Sequence, residues 1–186
     1  MGVSANTVTL SAMFISVGLA AGLYAYYLTH AVNWLILLFP LWMLLRMALN
    51  AVDGMLAREF GQQSKLGAYL NELSDVVADS ALYLPFALLA GVSPTLVVLV
   101  VVLAVISEYA GVLGPMVGAS RRYDGPMGKS DRAFCFGVLG AGVASGLLPS
   151  SWINGLLAVI LLLLLATLVN RVRQGLAEVA QTSQSE

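Results

Sequence analysis

Between Asn50 and Asp75 the chain reads N-A-V-D-G-M-L-A-R, eight further residues, then G-A-Y-L-N-E-L-S-D. Asn50, Asp53, Gly54, Ala57 and Arg58 stand at i, i+3, i+4, i+7 and i+8, offsets that fall on one face of a helix. Gly67, Asn71 and Asp75, at i, i+4 and i+8, share a face of the next one. Two helices therefore present oxygen ligands and a guanidinium around one place, with small residues where something must approach closely. Hard divalent cations take oxygen ligands, and the arginine fork matches phosphate. The chemistry these residues suit is the handling of a phosphate group beside a metal ion.

The elements that hold them lie in a membrane. The 186 residues are 59% hydrophobic and only 10% charged, with a mean hydropathy of +0.88; a soluble domain carries about 25% charged residues. At this length one domain of about six spans is expected. The spans read as 8–28, 34–60, 66–91, 95–117, 133–148 and 152–169, with a polar tail that frays over about 181–186. Met1 to Thr7 carry no Lys or Arg ahead of the apolar run, so the first span reads as retained rather than as a cleaved signal. Cys135 stands alone, which excludes a disulfide framework and a cysteine metal cluster. A net charge of −1 with no basic run gives no support to a nucleic-acid partner. His30, the one histidine, sits at a span end and receives no role.

Positive charge fixes the expected orientation. Arg58 and Lys65 flank one polar loop, Arg121, Arg122, Lys129 and Arg132 lie in another, and Arg171 and Arg173 follow the last span. The alternate loops 29–33, 91–94 and 149–151 carry no Lys or Arg. By the positive-inside rule both termini and both polar loops are cytoplasmic. Arg46, one turn before Asn50, points toward the same site. An ionised side chain at the bilayer centre costs about 2.5–3.5 kcal/mol on insertion scales, so such groups pair or line wet cavities. The bland alternative makes Asp53, Glu72, Asp75 and Asp79 interfacial carboxylates paired with Arg46, Arg58 and Lys65. It accounts for the charge but not for Gly54, Ala57 and Gly67 at helical offsets beside them.

The stretch resembles the signature of the CDP-alcohol phosphotransferases, Asp-x-x-Asp-Gly-x-x-Ala-Arg, about eight residues, then Gly-x-x-x-Asp-x-x-x-Asp. Asp53, Gly54, Ala57, Arg58, Gly67 and Asp75 match in identity and spacing; Asn50 and Asn71 stand where the signature has aspartate. The resemblance implies an all-α integral membrane bundle of six transmembrane helices. It implies transfer of a phosphatidyl group from CDP-diacylglycerol to an alcohol, with release of CMP. The short chain favours CDP-diacylglycerol over soluble CDP-alcohols. It also implies Mg²⁺ or Mn²⁺ held at Asn50, Asp53, Asn71 and Asp75, and Asp75 as general base. Asn50, Asp53, Gly54, Ala57, Arg58 and Gly67 would take the CDP-alcohol. A homodimer, and a bacterial inner membrane with the site facing the cytoplasm, follow from the same likeness.

Two amides in place of two carboxylates remove two negative charges from the metal site. Three readings follow: one firmly bound metal with a second arriving on the substrate; compensation by Glu72 or Asp79, which lie with Asp75 within about 60° of helix face; or loss of activity. An active enzyme with Glu72 or Asp79 as partial substitute is the preferred expectation. Arg46, Arg121, Arg122, Lys129 and Arg132 are expected to bind an anionic acceptor, glycerol 3-phosphate first and an inositol phosphate next; positive-inside contacts to lipid headgroups are the alternative. Glu108, inside span 4, reads as a partner for Arg46 or as a contact to the acceptor, and the pairing is the preferred expectation. Gly137, Gly140, Gly142 and Gly146 signal close helix packing within the chain. The rival functions are a catalytically silent relative and a small cation or proton transporter. A transporter would want acids spread through the membrane depth, whereas these cluster toward one face.

Overall fold

Membrane helices satisfy their backbone internally, and the chain uses little else. The computed structural model describes residues 4–183, with the backbone alone of Ser150. Helices α1 (Ala5–Tyr27), α2 (Leu38–Glu59), α3 (Lys65–Tyr83), α4 (Pro94–Leu113), α5 (Lys129–Ala144) and α6 (Ser150–Thr182) account for most of it. Single 3₁₀ turns precede α2 and follow α3 and α4, and no strand occurs among the described residues. Four stretches are long and apolar enough to cross a membrane: Ala5–Tyr27, Trp34–Glu59, Pro94–Val117 and Ser151–Thr182. Acidic side chains lower the apolarity of α3, and α5 has only 16 residues.

Successive helices run up and down. Ser4 caps α1 by accepting from the Thr7 amide, and Ser64 caps α3 by accepting from the Gly67 amide at 2.9 Å. Gly61, at φ +63, turns the chain out of α2 in a conformation that costs glycine nothing. The Ala5 amide, an orphan donor of the first turn of α1, donates to Gln62 Oε1 in that same loop at 2.8 Å. The beginning of α1, the end of α2 and the beginning of α3 are thereby stitched together. Helix α1 packs on α2 and α3, α4 on α6, and α2 on α5.

The core is aromatic where three helices meet: Tyr83 stacks on Phe136 at 4.0 Å, Phe86 meets Phe136 edge-on at 5.1 Å, and Phe39 lies against Phe86. Gly137, Gly140 and Gly142 of α5 serve contacts within the chain, as their spacing suggested, whereas Gly146 lies past the end of α5 in a turn at φ +69 with no neighbour within 4 Å of a Cβ placed there. A Cβ on Gly140 would lie 3.2 Å from Pro40 Cδ of α2. Cys135 packs against the same core.

Two of the boundaries that differ from expectation bear on the site. Helix α5 begins at Lys129, so Lys129 and Arg132 belong to its first turn rather than to a loop; Gly128 donates its amide to Asp131 at 2.9 Å and closes that turn. Helix α6 runs thirteen residues past Val169, because Arg171 turns into the bundle and Glu178 reaches the polar loop. Of the tail expected to fray, residues 184–186 lie outside the described residues.

Candidate active site

A cleft of about 880 Å³ opens where α1 begins, α2 ends and α3 begins. Asn50, Asp53, Gly54, Ala57 and Arg58 line it from α2, and Gly67 and Asn71 from α3. Sequence spacing had put these residues on two faces; the packing of α1 against both helices turns the faces toward one space. A Cβ on Gly54 would meet only the Arg58 guanidinium, at 3.6 Å, so the room beside it belongs to the cleft. Gly67 has a second task, since a Cβ there would press to 3.0 Å on both Asn6 Oδ1 and Ser64 Oγ.

Asp53 is almost fully buried, and its Oδ2 accepts a hydrogen bond from the Thr9 hydroxyl at 2.6 Å. Asp75 sits behind the cleft wall. Its Oδ1 accepts from Arg46 at 2.9 Å and from the Asn50 amide nitrogen at 3.1 Å, and its Oδ2 pairs with the Lys129 ammonium. With its nitrogen spent on Asp75, Asn50 has its oxygen as the ligating atom.

The remaining acids and bases form a network deeper in the bundle. Asp79 is held by Arg46 and, at 3.4 Å, by Arg132. Glu108 takes Arg132 at 2.9 Å and both Arg121 and Arg171 at 3.3 Å, and Arg121 also grips Glu72. Glu108 thus pairs with three arginines other than Arg46. Neither Glu72 nor Asp79 lines the cleft. Among the five bases read as acceptor ligands, Lys129 alone does; Arg46 and Arg132 are buried in ion pairs, and Arg122 is clasped by Asp124 at 2.8 Å and by Glu178. The Arg122 hydrogen bond holds the Asp124 carboxyl below the usual carboxylate range. This clasp, together with the Met127 amide donating to Thr167 at 2.9 Å, fastens the second polar loop to α6.

Spacing alone had not found the wall that α1 supplies, Ala5, Asn6 and Thr9, nor Gln62, Gln63, Ser64, Lys65 and Tyr123. Thr9 was the accessible signal, a hydroxyl one turn into α1, although Ser11 and Ser16 follow it in the same span. Tyr123 lies over the Arg121 guanidinium at 4.1 Å and brings an aromatic face to the mouth.

The family model for CDP-alcohol phosphatidyltransferases matches residues 3–180. The chain belongs to that family. Among its relatives is the inner membrane protein YnbA of Escherichia coli, 44% identical over 174 residues that make up 94% of this chain and 85% of that one. The archaetidylinositol phosphate synthase of Aeropyrum pernix is 35% identical over 89 residues, 48% of this chain and 45% of that one. The chain is an integral membrane phosphatidyltransferase homologue, and its family is typically metal-dependent.

The residues present accommodate one such ion. Asp53 lines the cleft with the amides of Asn50 and Asn71, a carboxylate and carbonyl oxygens of the kind Mg²⁺ and Mn²⁺ accept. Asp75 is committed to three donors, and among the described residues no group of three His, Cys, Asp or Glu side chains gathers as a metal cluster. Among the described residues that line the cleft, no carboxylate besides Asp53 is present for a second ion.

Proposed function

We propose that this protein transfers a phosphatidyl group from CDP-diacylglycerol to an alcohol and releases CMP, in the inner membrane of a bacterium, with Mg²⁺ or Mn²⁺ as cofactor. The observation that carries the reading is the convergence of seven of the eight signature positions, five of them with the signature's own residue, on one cleft at the basic end of the bundle. A cleft of about 880 Å³ falls within the range that accepts a nucleotide-sized ligand.

The chain's own residues divide the work. Asp53, positioned by Thr9, would hold the metal with Asn50 and Asn71. When bound, such an ion would supply positive charge to the diphosphate and to the oxygen of the departing CMP. Arg58 offers a planar fork to phosphate oxygens, and Lys65 adds charge at the mouth. Gly54 and Ala57 let the nucleotide lie close to α2. The alcohol oxygen attacks the phosphorus that carries diacylglycerol, the bond from that phosphorus to the CMP oxygen breaks, and the hydroxyl proton passes to Asp75. Only Oδ2 is open to that role, because Lys129, on a flexible stem, can turn from it to the substrate.

With Arg121, Arg122 and Arg132 paired, the charge available to a phosphorylated acceptor comes from Lys129, Arg58 and Lys65. Glycerol 3-phosphate heads the acceptors to be tried. The cleft end, which gathers these cations, faces the cytoplasm by the positive-inside rule. Trp34 and Trp152, both well exposed, then mark the opposite interface. A membrane-impermeant thiol reagent should label Gln63→Cys, in a Cys135→Ser background, only from the cytoplasmic side; labelling from outside would reverse the assignment.

The deciding experiment is CMP release by purified protein in detergent with CDP-diacylglycerol, Mg²⁺ or Mn²⁺, and a panel of glycerol 3-phosphate, serine, inositol, inositol phosphate and phosphatidylglycerol. CMP should appear only with metal and one acceptor, and Asp53→Asn should lower it at least about 100-fold. Both oxygens of Asp75 being engaged is the observation that favours a silent relative. No CMP with any acceptor, despite bound CDP-diacylglycerol, would establish that second reading.

A further inference from the structure

The two asparagines raise a question of charge. Two divalent ions bring +4, whereas the signature positions here offer two carboxylates, Asp53 and Asp75, and two neutral amides. Amide oxygens ligate but compensate no charge. The structure shows what stands on the Asp75 side instead. Lys129 places its ammonium on Oδ2, while Asn50 presents an N–H donor to Oδ1 at 3.1 Å. An aspartate at position 50 would set a second negative charge against Asp75 and would call for a cation between them; asparagine removes that need. Asn50 and Lys129 thus form a matched pair around one carboxylate.

The position of Lys129 is built. It opens α5, whose first turn is closed by the Gly128 amide donating to Asp131, and its side chain lines the cleft about one-third exposed. A lysine is a compact point charge on a long stem. It can rest on Asp75 in the empty site and still reach the phosphate oxygens of a ligand.

We propose that Lys129 is the resident second cation of this site: its ammonium takes the place of one of two divalent ions, so that a single Mg²⁺ or Mn²⁺ beside Asp53 works opposite a charge carried by the protein itself. The proposal rests on the reading of the cleft as a metal-assisted phosphoryl-transfer site, and it concerns how many ions that site holds.

The test counts manganese separately from turnover. Purified protein in detergent is titrated with Mn²⁺, the free ion is followed by its six-line EPR signal, and CMP release is measured on the same preparation. Wild-type protein should bind one Mn²⁺ per chain, without the signature of a spin-coupled pair. Lys129→Ala should still bind one but lose about 100-fold in CMP release, with partial recovery in Lys129→Arg. Restoring both carboxylates and removing the ammonium, in Asn50→Asp/Asn71→Asp/Lys129→Ala, should raise the count to two and produce coupling. Two Mn²⁺ per wild-type chain, or a Lys129→Ala variant with unchanged turnover, would overturn the proposal whether or not the triple variant folds. One Mn²⁺ bound with no CMP from any acceptor would instead overturn the transferase reading and leave the single-ion site standing.

Discussion

At the scale of single residues, the site is governed by how each oxygen is already occupied. Asp53 carries the one carboxylate in the cleft that no cation of the chain neutralises by direct contact, and Thr9 fixes its orientation through a 2.6 Å hydrogen bond. Groups that orient a ligand are worth about 10–100-fold in metal affinity. Thr9→Val should therefore weaken Mn²⁺ binding about tenfold while leaving thermal stability nearly unchanged; an unaltered titration would show that α1 merely walls the cleft. Sequence spacing was informative at this scale because a helix converts i, i+3, i+4, i+7 into a face, which is why Asn50 to Arg58 were legible together. It could not show that Asn50 turns its nitrogen to Asp75, because that choice depends on a residue 25 positions away.

At the scale of elements, three helix ends make the cleft and α5 braces it. The brace depends on close approach: Gly140 lets Pro40 of α2 come within what would be 3.2 Å of a side chain. Gly140→Leu should lower stability by about 1–3 kcal/mol, read as a lower melting temperature in detergent, since overfilled interiors push their neighbours apart. An unchanged melting temperature would mean that the two helices slide freely.

The start of α5 also marks the limit of reading by composition. Lys129, Ser130, Asp131 and Arg132 look like loop, yet Asp131 three residues after Gly128 closes a helical turn and aims Lys129 and Arg132 inward. Likewise Asn170 to Arg173 look like the end of a span, although Arg171 is buried against Glu108 and the helix continues. In both places tertiary ion pairing outweighed local polarity.

The second polar loop is fastened by charge, so its hold depends on pH. Because Arg122 depresses the Asp124 carboxyl, the clasp contributes its stabilisation fully above the unfolded value of about 3.9 and loses it as the pH falls through the lower folded value. Hydrogen exchange at Ser120 and Arg122, corrected for intrinsic rates, should show constant protection from pH 7 to 5 and a loss below about pH 4. Protection that declines already between pH 7 and 5 would contradict this.

At the scale of the whole molecule, a run of alternating charges from Lys129 through Asp75, Arg46, Asp79, Arg132 and Glu108 to Arg171 joins five helices, α2 to α6. Buried pairs of this kind add little net stability, but breaking one leaves a charge stranded. Glu108→Ala exposes Arg132 and Arg171 to that cost, about 3–5 kcal/mol, and should yield protein that is poorly recovered from membranes and melts far below wild type; near-normal melting would mean that water reaches these arginines. The fold class was legible throughout because membrane insertion depends on hydropathy summed over whole segments. The network was not, because its directly paired members lie up to 63 residues apart in sequence.

Helix α6 also sets an order of events. It follows the other described helices in the chain, yet Thr167, Arg171 and Glu178 along it hold the loop and the ion pairs that bring Tyr123 and Lys129 to the cleft. The half of the site formed by α1, α2 and α3 is complete in the nascent chain long before its counterpart. Until α6 docks, the nascent chain presents the α2 and α3 wall of the cleft without the fastened Lys129, so assembly itself keeps the site incomplete in an unfinished chain.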